Sequence, residues 1–151
     1  MTMTDAQAAD AIRAHHAQMQ ADLRSRVDAL IAAVRDGAPH AAAQQQVLEY
    51  LRGELLPHAT AEEGALYPAA DAGIAALLIR SMRDEHRNLI ARAEELGSAE
   101  DGVSAATHAA AISALFESHL HKENDLLVPA LVADANVSIS ELLAGMHELI
   151  G

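Results

Sequence analysis

The motif His-x-x-x-Glu occurs twice in this chain, as His58-Ala59-Thr60-Ala61-Glu62 and as His119-Leu120-His121-Lys122-Glu123, each with a lone histidine ahead of it. Residues four apart on a helix lie one turn above each other on the same face. Each copy therefore aims an imidazole and a carboxylate at one point. The lone histidines are His16, or its neighbour His15, and His86. Two such helices and two single histidines supply four nitrogens and two carboxylates, enough to hold a pair of metal ions inside a helical bundle.

The apolar pattern predicts the helices that carry these residues. Ile12, His16, Met19, Leu23, Val27, Leu30 and Val34 recur at spacings of three and four, which predicts a first helix over 4–36 closed by Gly37-Ala38-Pro39. A second helix over 40–67 turns Val47, Leu51, Leu55, His58, Glu62 and Leu66 inward, and Pro57 predicts a kink beside His58. A third runs from 71 or 72 to 96 with Ile79, Met82, His86, Leu89 and Ala93 on one stripe and Gly97 as its C-cap. After a weak capping start at Ser98-Ala99-Glu100-Asp101, a fourth spans 103–132 with Ile112, Leu115, Phe116, His119, Glu123, Leu126 and Leu127, and Pro129 near its end. Ser138-Ile139-Ser140-Glu141 has capping-box spacing and opens a short fifth helix through 150, predicted to pack on the bundle or on a partner subunit. The fold expected is all-α: an up-down-up-down four-helix bundle with a short C-terminal fifth helix. A single domain is expected over 1–151, with its core at about 9–131 and a packing helix at 138–150.

A weak internal repeat strengthens the site. Residues 12–19 parallel residues 82–89, and His58 to Pro68 parallels His119 to Pro129. The chain reads as two helical hairpins, each giving one His and then His-x-x-x-Glu. The alignment sets His16, rather than His15, opposite His86. A single His-x-x-x-Glu pair is common on solvated helix faces. Two copies on apolar stripes, each followed by an apolar pair and Pro at the same offset, are not. A buried Glu without a partner costs several kcal/mol or takes up a proton. Two buried carboxylates among four imidazoles make physical sense with cations between them. The candidate metal ligands are therefore His16, His58, Glu62, His86, His119 and Glu123.

Other polar residues receive weaker readings. Glu54 lies four before His58; it reads either as the polar edge of its helix or as a residue that orients a ligand or relays protons. Glu85 is a similar case. Tyr50 or Tyr67 could approach a metal, and spacing does not choose between them. His40, His108, His121 and His147 are expected at helix ends or on the surface.

Composition bounds the function. The formal net charge of -12 disfavours nucleic acid and anionic membranes, which need a basic face. No cysteine is present, so disulfides, thiolate metal sites and thiol catalysis are excluded. The sequence is 51% hydrophobic but only 2% aromatic, which favours helix over sheet. No basic, apolar leader opens the chain and no uncharged apolar run reaches about 18 residues, so a cytoplasmic location is expected. Nine histidines without cysteine point to metal chemistry with N and O ligands. Such donors suit iron, manganese or zinc. Two bridging carboxylates favour redox-active iron, with manganese second.

These residues resemble the hemerythrin-like HHE cation-binding domains. The carrying motifs are His16, His58-x-x-x-Glu62 with Glu63 and Leu66-Tyr67-Pro68, Glu85-His86, and His119-x-x-x-Glu123 with Leu127-Val128-Pro129. The resemblance implies a four-helix bundle holding two non-haem iron ions with oxo or hydroxo and carboxylate bridges. His16, His58, His86 and His119 would be terminal ligands, with Glu62 and Glu123 bridging. Oxygen-carrying hemerythrins have a further His four after the third-helix His and an Asp in the fourth-helix motif; here those positions are Ile90 and Glu123. The pattern looks like the six-ligand relatives, some linked to peroxide, nitric oxide or iron-centre repair. The repair relatives add an N-terminal cysteine-bearing domain, which this sequence does not show. With fewer protein ligands, open positions favour reaction over simple carriage. The expected function is reaction with hydrogen peroxide or nitric oxide, with a catalase- or peroxidase-like activity. Reversible oxygen or nitric oxide binding or sensing, passive iron holding and a metal-free structural bundle are the alternatives.

Overall fold

In the computed structural model, which describes residues 2–150, every regular element is a helix and the described residues contain no strand. Helix α1, Asp5–Arg35, starts at a capping box. The Thr4 side chain accepts from the Gln7 backbone N–H at 3.2 Å, and Gln7 Oε1 accepts from the Thr4 N–H at 2.9 Å. Gly37, at φ +66°, turns the chain out of the helix.

The second expected helix is divided. Helix α2, Ala41–Tyr50, passes through a π turn at Leu51–Leu55 into α3, Leu56–Gly64. Pro57 explains the widening: it has no N–H to give the Gly53 carbonyl, and its ring would strike that carbonyl in a regular α-helix. The Leu56 N–H reaches back five residues to the Leu51 carbonyl instead. Ala65, at φ -126° and ψ -60°, then breaks the helix, four residues after the repeat's Ala61 and three before Pro68. A short helix α4, Leu66–Ala70, follows.

Helix α5, Ala75–Ser98, starts a few residues later than the sequence predicts because Gly73, at φ +59°, holds a turn ahead of it. Gly97 is not its C-cap; it is helical, and a Cβ there would lie 3.1 Å from an Arg52 nitrogen. The buried Gln44 closes this end instead. Its Nε2 donates to the Leu96 carbonyl at 2.7 Å and the Ala99 carbonyl at 3.0 Å. Helix α6, Gly102–Lys122, begins at Asp101, whose Oδ1 accepts from the Ser104 N–H at 2.8 Å. It too widens into a π turn, Glu123–Leu127, ahead of Pro129 in α7, Val128–Ala133. Helix α8, Ile139–Ile150, opens at Ser138, as the capping spacing predicts.

Helix α1 packs on α2 and α6, and α5 packs on α2 and α6, so the four close a ring. Helix α8 lies against α1 and α3. Two apolar clusters fill the interior. One includes Met19, Leu23, Leu51, Leu55, Leu89, Phe116 and Leu120; the other includes Ile12, Ala61, Leu66, Ile79, Met82, Leu127 and Met146. Each ligand-bearing helix crosses from one cluster to the other: Ile12 to Met19 around His16, Met82 to Leu89 around His86, Leu120 to Leu127 around Glu123. The polar residues are thus confined to one level between two apolar floors. No helix of the described residues is long and apolar enough to cross a membrane.

Candidate metal centre

All six residues singled out by spacing meet at that level, each at most 7% exposed. His16 comes from α1, His58 and Glu62 from α3, His86 from α5 and His119 from α6; Glu123 begins the second π turn. They divide into two pairs of imidazoles. His16 Nε2 faces His58 Nε2 at 3.2 Å, and His86 Nε2 faces His119 Nε2 at 3.0 Å. The carboxylates lie between the pairs. Glu62 Oε1 is 3.5 Å from His58 Nε2 and 3.7 Å from His86 Nε2, and its Oε2 is 3.8 Å from His16 Nε2. Glu123 Oε1 contacts His119 Nε2 while its Oε2 lies 3.3 Å from His16 Nε2. Glu62, His86, His119 and Glu123 form one group able to hold a cation, and His16, His58 and Glu62 form another.

The outward nitrogens explain why the inward ones face each other. Asn124 Oδ1 lies 2.7 Å from His16 Nδ1, Glu63 Oε1 2.8 Å from His86 Nδ1, and Glu85 Oε2 2.7 Å from His119 Nδ1. Each of these oxygens accepts the Nδ1 proton, which in a neutral imidazole turns the Nε2 lone pair inward; at His119 the Glu123 carboxylate also favours a proton on Nε2. Two inward Nε2 atoms about 3 Å apart need a proton or a metal cation between them. Each partner flanks a ligand on its own helix and supports the histidine of the next helix in the ring. One residue along a helix is a turn of about 100°, enough to redirect a side chain from the centre to a neighbour. Glu63 follows Glu62, Glu85 precedes His86 and Asn124 follows Glu123. His15, preceding His16, packs its imidazole beside that of His58, the ring centres 5.1 Å apart. His15 is therefore outside the cluster and His16 within it.

Electrostatics point the same way. Burial, then the adjacent Glu123, push the Glu62 carboxyl well above its usual range. Glu123 is held low against the same burial by hydrogen bonding with Glu62 and His119. Burial and the neighbouring His16 lower His58 to about 3. Burial and His119 lower His86, whereas Glu123 and Glu85 outweigh burial at His119 and raise it. The Oε2 atoms of Glu62 and Glu123 have no hydrogen-bond partner among the described residues. Orphaned carboxylate oxygens and inward-facing imidazole nitrogens fit divalent cations with N and O ligands.

Tyr67 joins the cluster and Tyr50 does not. The Tyr67 hydroxyl donates to Glu123 Oε1 at 2.9 Å and lies 3.2 Å from both His86 Nε2 and His119 Nε2. Burial and the two carboxylates raise its pKa. Tyr50 donates to the Met19 carbonyl at 3.1 Å, away from the ligands. Glu54 is exposed on the first π turn, where its charge acts on His15. Asn124, Glu63 and Glu85 are the residues whose oxygens contact the outward nitrogens of ligand imidazoles. Of these, Asn124 carries no signal in the motif pattern beyond its place beside Glu123.

An all-helical chain that buries four imidazoles and two carboxylates at one level defines a metal-binding helical protein. The hemerythrin HHE cation binding domain matches residues 7–131, and the chain belongs to that family. No curated protein and no solved structure gives a significant match.

Proposed function

We propose that this chain is a non-haem di-iron protein that reacts with a small oxidant, hydrogen peroxide first and nitric oxide second. We read its helices as an up-down-up-down bundle of α1, α2–α4, α5 and α6–α7, with α8 as the fifth. One observation carries the functional reading: four inward-facing Nε2 atoms surround two buried carboxylates whose Oε2 atoms lack hydrogen-bond partners among the described residues. His16 and His58 would hold one ion and His86 and His119 the other, with Glu62 and Glu123 bridging. Iron, when bound there, supplies redox change and Lewis acidity that the side chains lack.

The chain's own residues fix what that metal meets. Asn124, Glu63 and Glu85 lock three imidazoles with Nε2 inward. The apolar floors exclude water and strengthen every interaction at the ligand level. Burial and Glu123 raise the Glu62 carboxyl in the metal-free protein, so cation binding there would be coupled to its deprotonation. Manganese satisfies the same donors and is the second choice of metal.

Reversible oxygen or nitric oxide binding is the second reading. One observation favours it: Glu54, the acid that sequence suggests for proton transfer, is exposed to solvent rather than buried with the ligands. Anaerobic loading with ferrous iron followed by hydrogen peroxide separates the readings. Disproportionation to water and oxygen needs no external reductant, so oxygen evolution is the expected result. Glu62→Ala and Glu123→Ala should abolish it while the circular dichroism stays helical. Full activity in variants with normal metal content would overturn the mechanism, and spectral change with no peroxide consumed would favour the second reading.

A further inference from the structure

A cavity of about 260 Å³ lies between α1, α3 and α8, with His16 and His58 in its wall. Its other sides are Ala11 and Ile12 of α1, Leu143 and Met146 of α8, and Met3. His15 and His147 also line it, and neither lysine nor arginine does. A shallower groove shares Met3, Leu143 and His147 and leads outward. The cavity therefore has an apolar body, an open end and an imidazole-lined end at one half of the metal cluster.

Its size does not suit the oxidants considered so far. A water molecule occupies about 30 Å³ of liquid, and an apolar cavity of about 150 Å³ already takes benzene. Hydrogen peroxide or nitric oxide would fill only a small part of this space. Water filling the remainder would meet aliphatic walls with few polar partners, which makes poorly hydrated cavities of this kind favourable for hydrocarbon. A concave apolar pocket with a few convergent polar groups is the usual form of an organic ligand site. In the metal-free chain, the lack of a lysine or arginine in the wall, beside the buried Glu62 and Glu123, disfavours a carboxylate or phosphate on the ligand.

We propose that this cavity binds a neutral organic hydroperoxide of about ten heavy atoms, its hydrocarbon body against Ile12, Leu143 and Met146 and its peroxy end towards His16 and His58. The identity of the polar end rests on the oxidant-reactive reading above; the hydrocarbon site rests on the cavity alone. Leu143 and Met146 then act as specificity residues contributed by α8.

The test uses the full chain, metal-free, with methyl-labelled methionines observed by NMR. Cumyl alcohol, the unreactive counterpart of cumene hydroperoxide, is the probe. Met3 and Met146 methyls should shift saturably with one probe bound per chain, and Met19 should stay in place as an internal reference. Ala11→Phe, which fills the cavity, should weaken binding about tenfold or more. Leu143→Phe repeats the test from the α8 side should the first variant fail to fold. The absence of any saturable shift, unchanged affinity in a folded filling variant, or equally tight binding of benzoate would overturn the proposal. Metal titration of the same sample separates the two readings. Metal uptake without methyl shifts removes only the organic ligand, whereas methyl shifts without metal uptake leave the cavity site and remove the di-iron centre.

Discussion

Glu123 Oε2 lies 3.3 Å from His16 Nε2, while Oε1 of the same carboxylate touches His119 on the opposite side of the cluster. One side chain thus spans both imidazole pairs, and Glu62 spans them from α3. Substitution Glu123→Gln keeps the shape but removes the charge that would bridge two cations in the proposed centre. Calorimetric titration with ferrous or manganous ion should show one site where the parent protein shows two. Two unchanged binding steps would contradict a bridging role.

The two halves differ in what stands behind them. His86 and His119 are supported by carboxylates, whereas His16 is supported by the neutral Asn124. A carboxylate partner makes the imidazole a stronger donor, and its loss typically weakens metal affinity 10–100-fold, on the order seen at other metal sites. Glu85→Gln should therefore weaken the tighter of the two steps, and Asn124→Ala the looser. Chelator competition measures both constants. Lys122, which contacts Glu85, should go on neutralising that carboxylate in the Asn124 variant.

These supporting partners mark where the sequence stops being legible. The six inward residues are visible because two copies of one motif, lying on apolar stripes, leave few other ways to bury them. The supporting residues depend on which helix stands next to which, and a linear pattern does not contain that. Glu63 and Glu85 stood out only as neighbours of ligands, and Asn124 did not stand out at all. The helices were legible from their apolar spacing, but the consequences of proline were not uniform. Pro57 and Pro129 each follow a π turn, whereas Pro68 follows a break at Ala65. Gly97 misled because a glycine near a helix end usually caps it, yet here Gln44, distant in sequence, performs that task.

Acid should destabilise the metal-free protein through His58. Burial and His16 depress its pKa from 6.5 to about 3, so the folded state keeps it neutral where the unfolded chain protonates it. Its contribution is complete above pH 6.5 and is lost as pH falls towards 3. One proton gives a slope of at most about 1.4 kcal/mol per pH unit. Glu62 acts in the opposite sense: its raised pKa contributes stability at low pH that is lost as pH rises through the folded-state value. Urea titrations across this range should show the acid slope shrink in His58→Leu; an unchanged slope would assign it elsewhere.

Gln44→Ala should weaken the fold without touching the metal. It leaves the Leu96 and Ala99 carbonyls without their side-chain donor at a buried helix end. The expected loss is about 1–3 kcal/mol. Thermal melts of the metal-free variant would show it, and metal stoichiometry should remain that of the parent.

Metal content is the most direct test of the central claim. The metal-free chain, loaded anaerobically with excess ferrous iron, desalted and analysed by plasma mass spectrometry, should retain two irons per chain. The variant His58→Leu/His119→Leu should retain none while staying helical. A folded parent protein that retains no iron and no manganese would contradict the account and leave the buried His/Glu cluster without its ions.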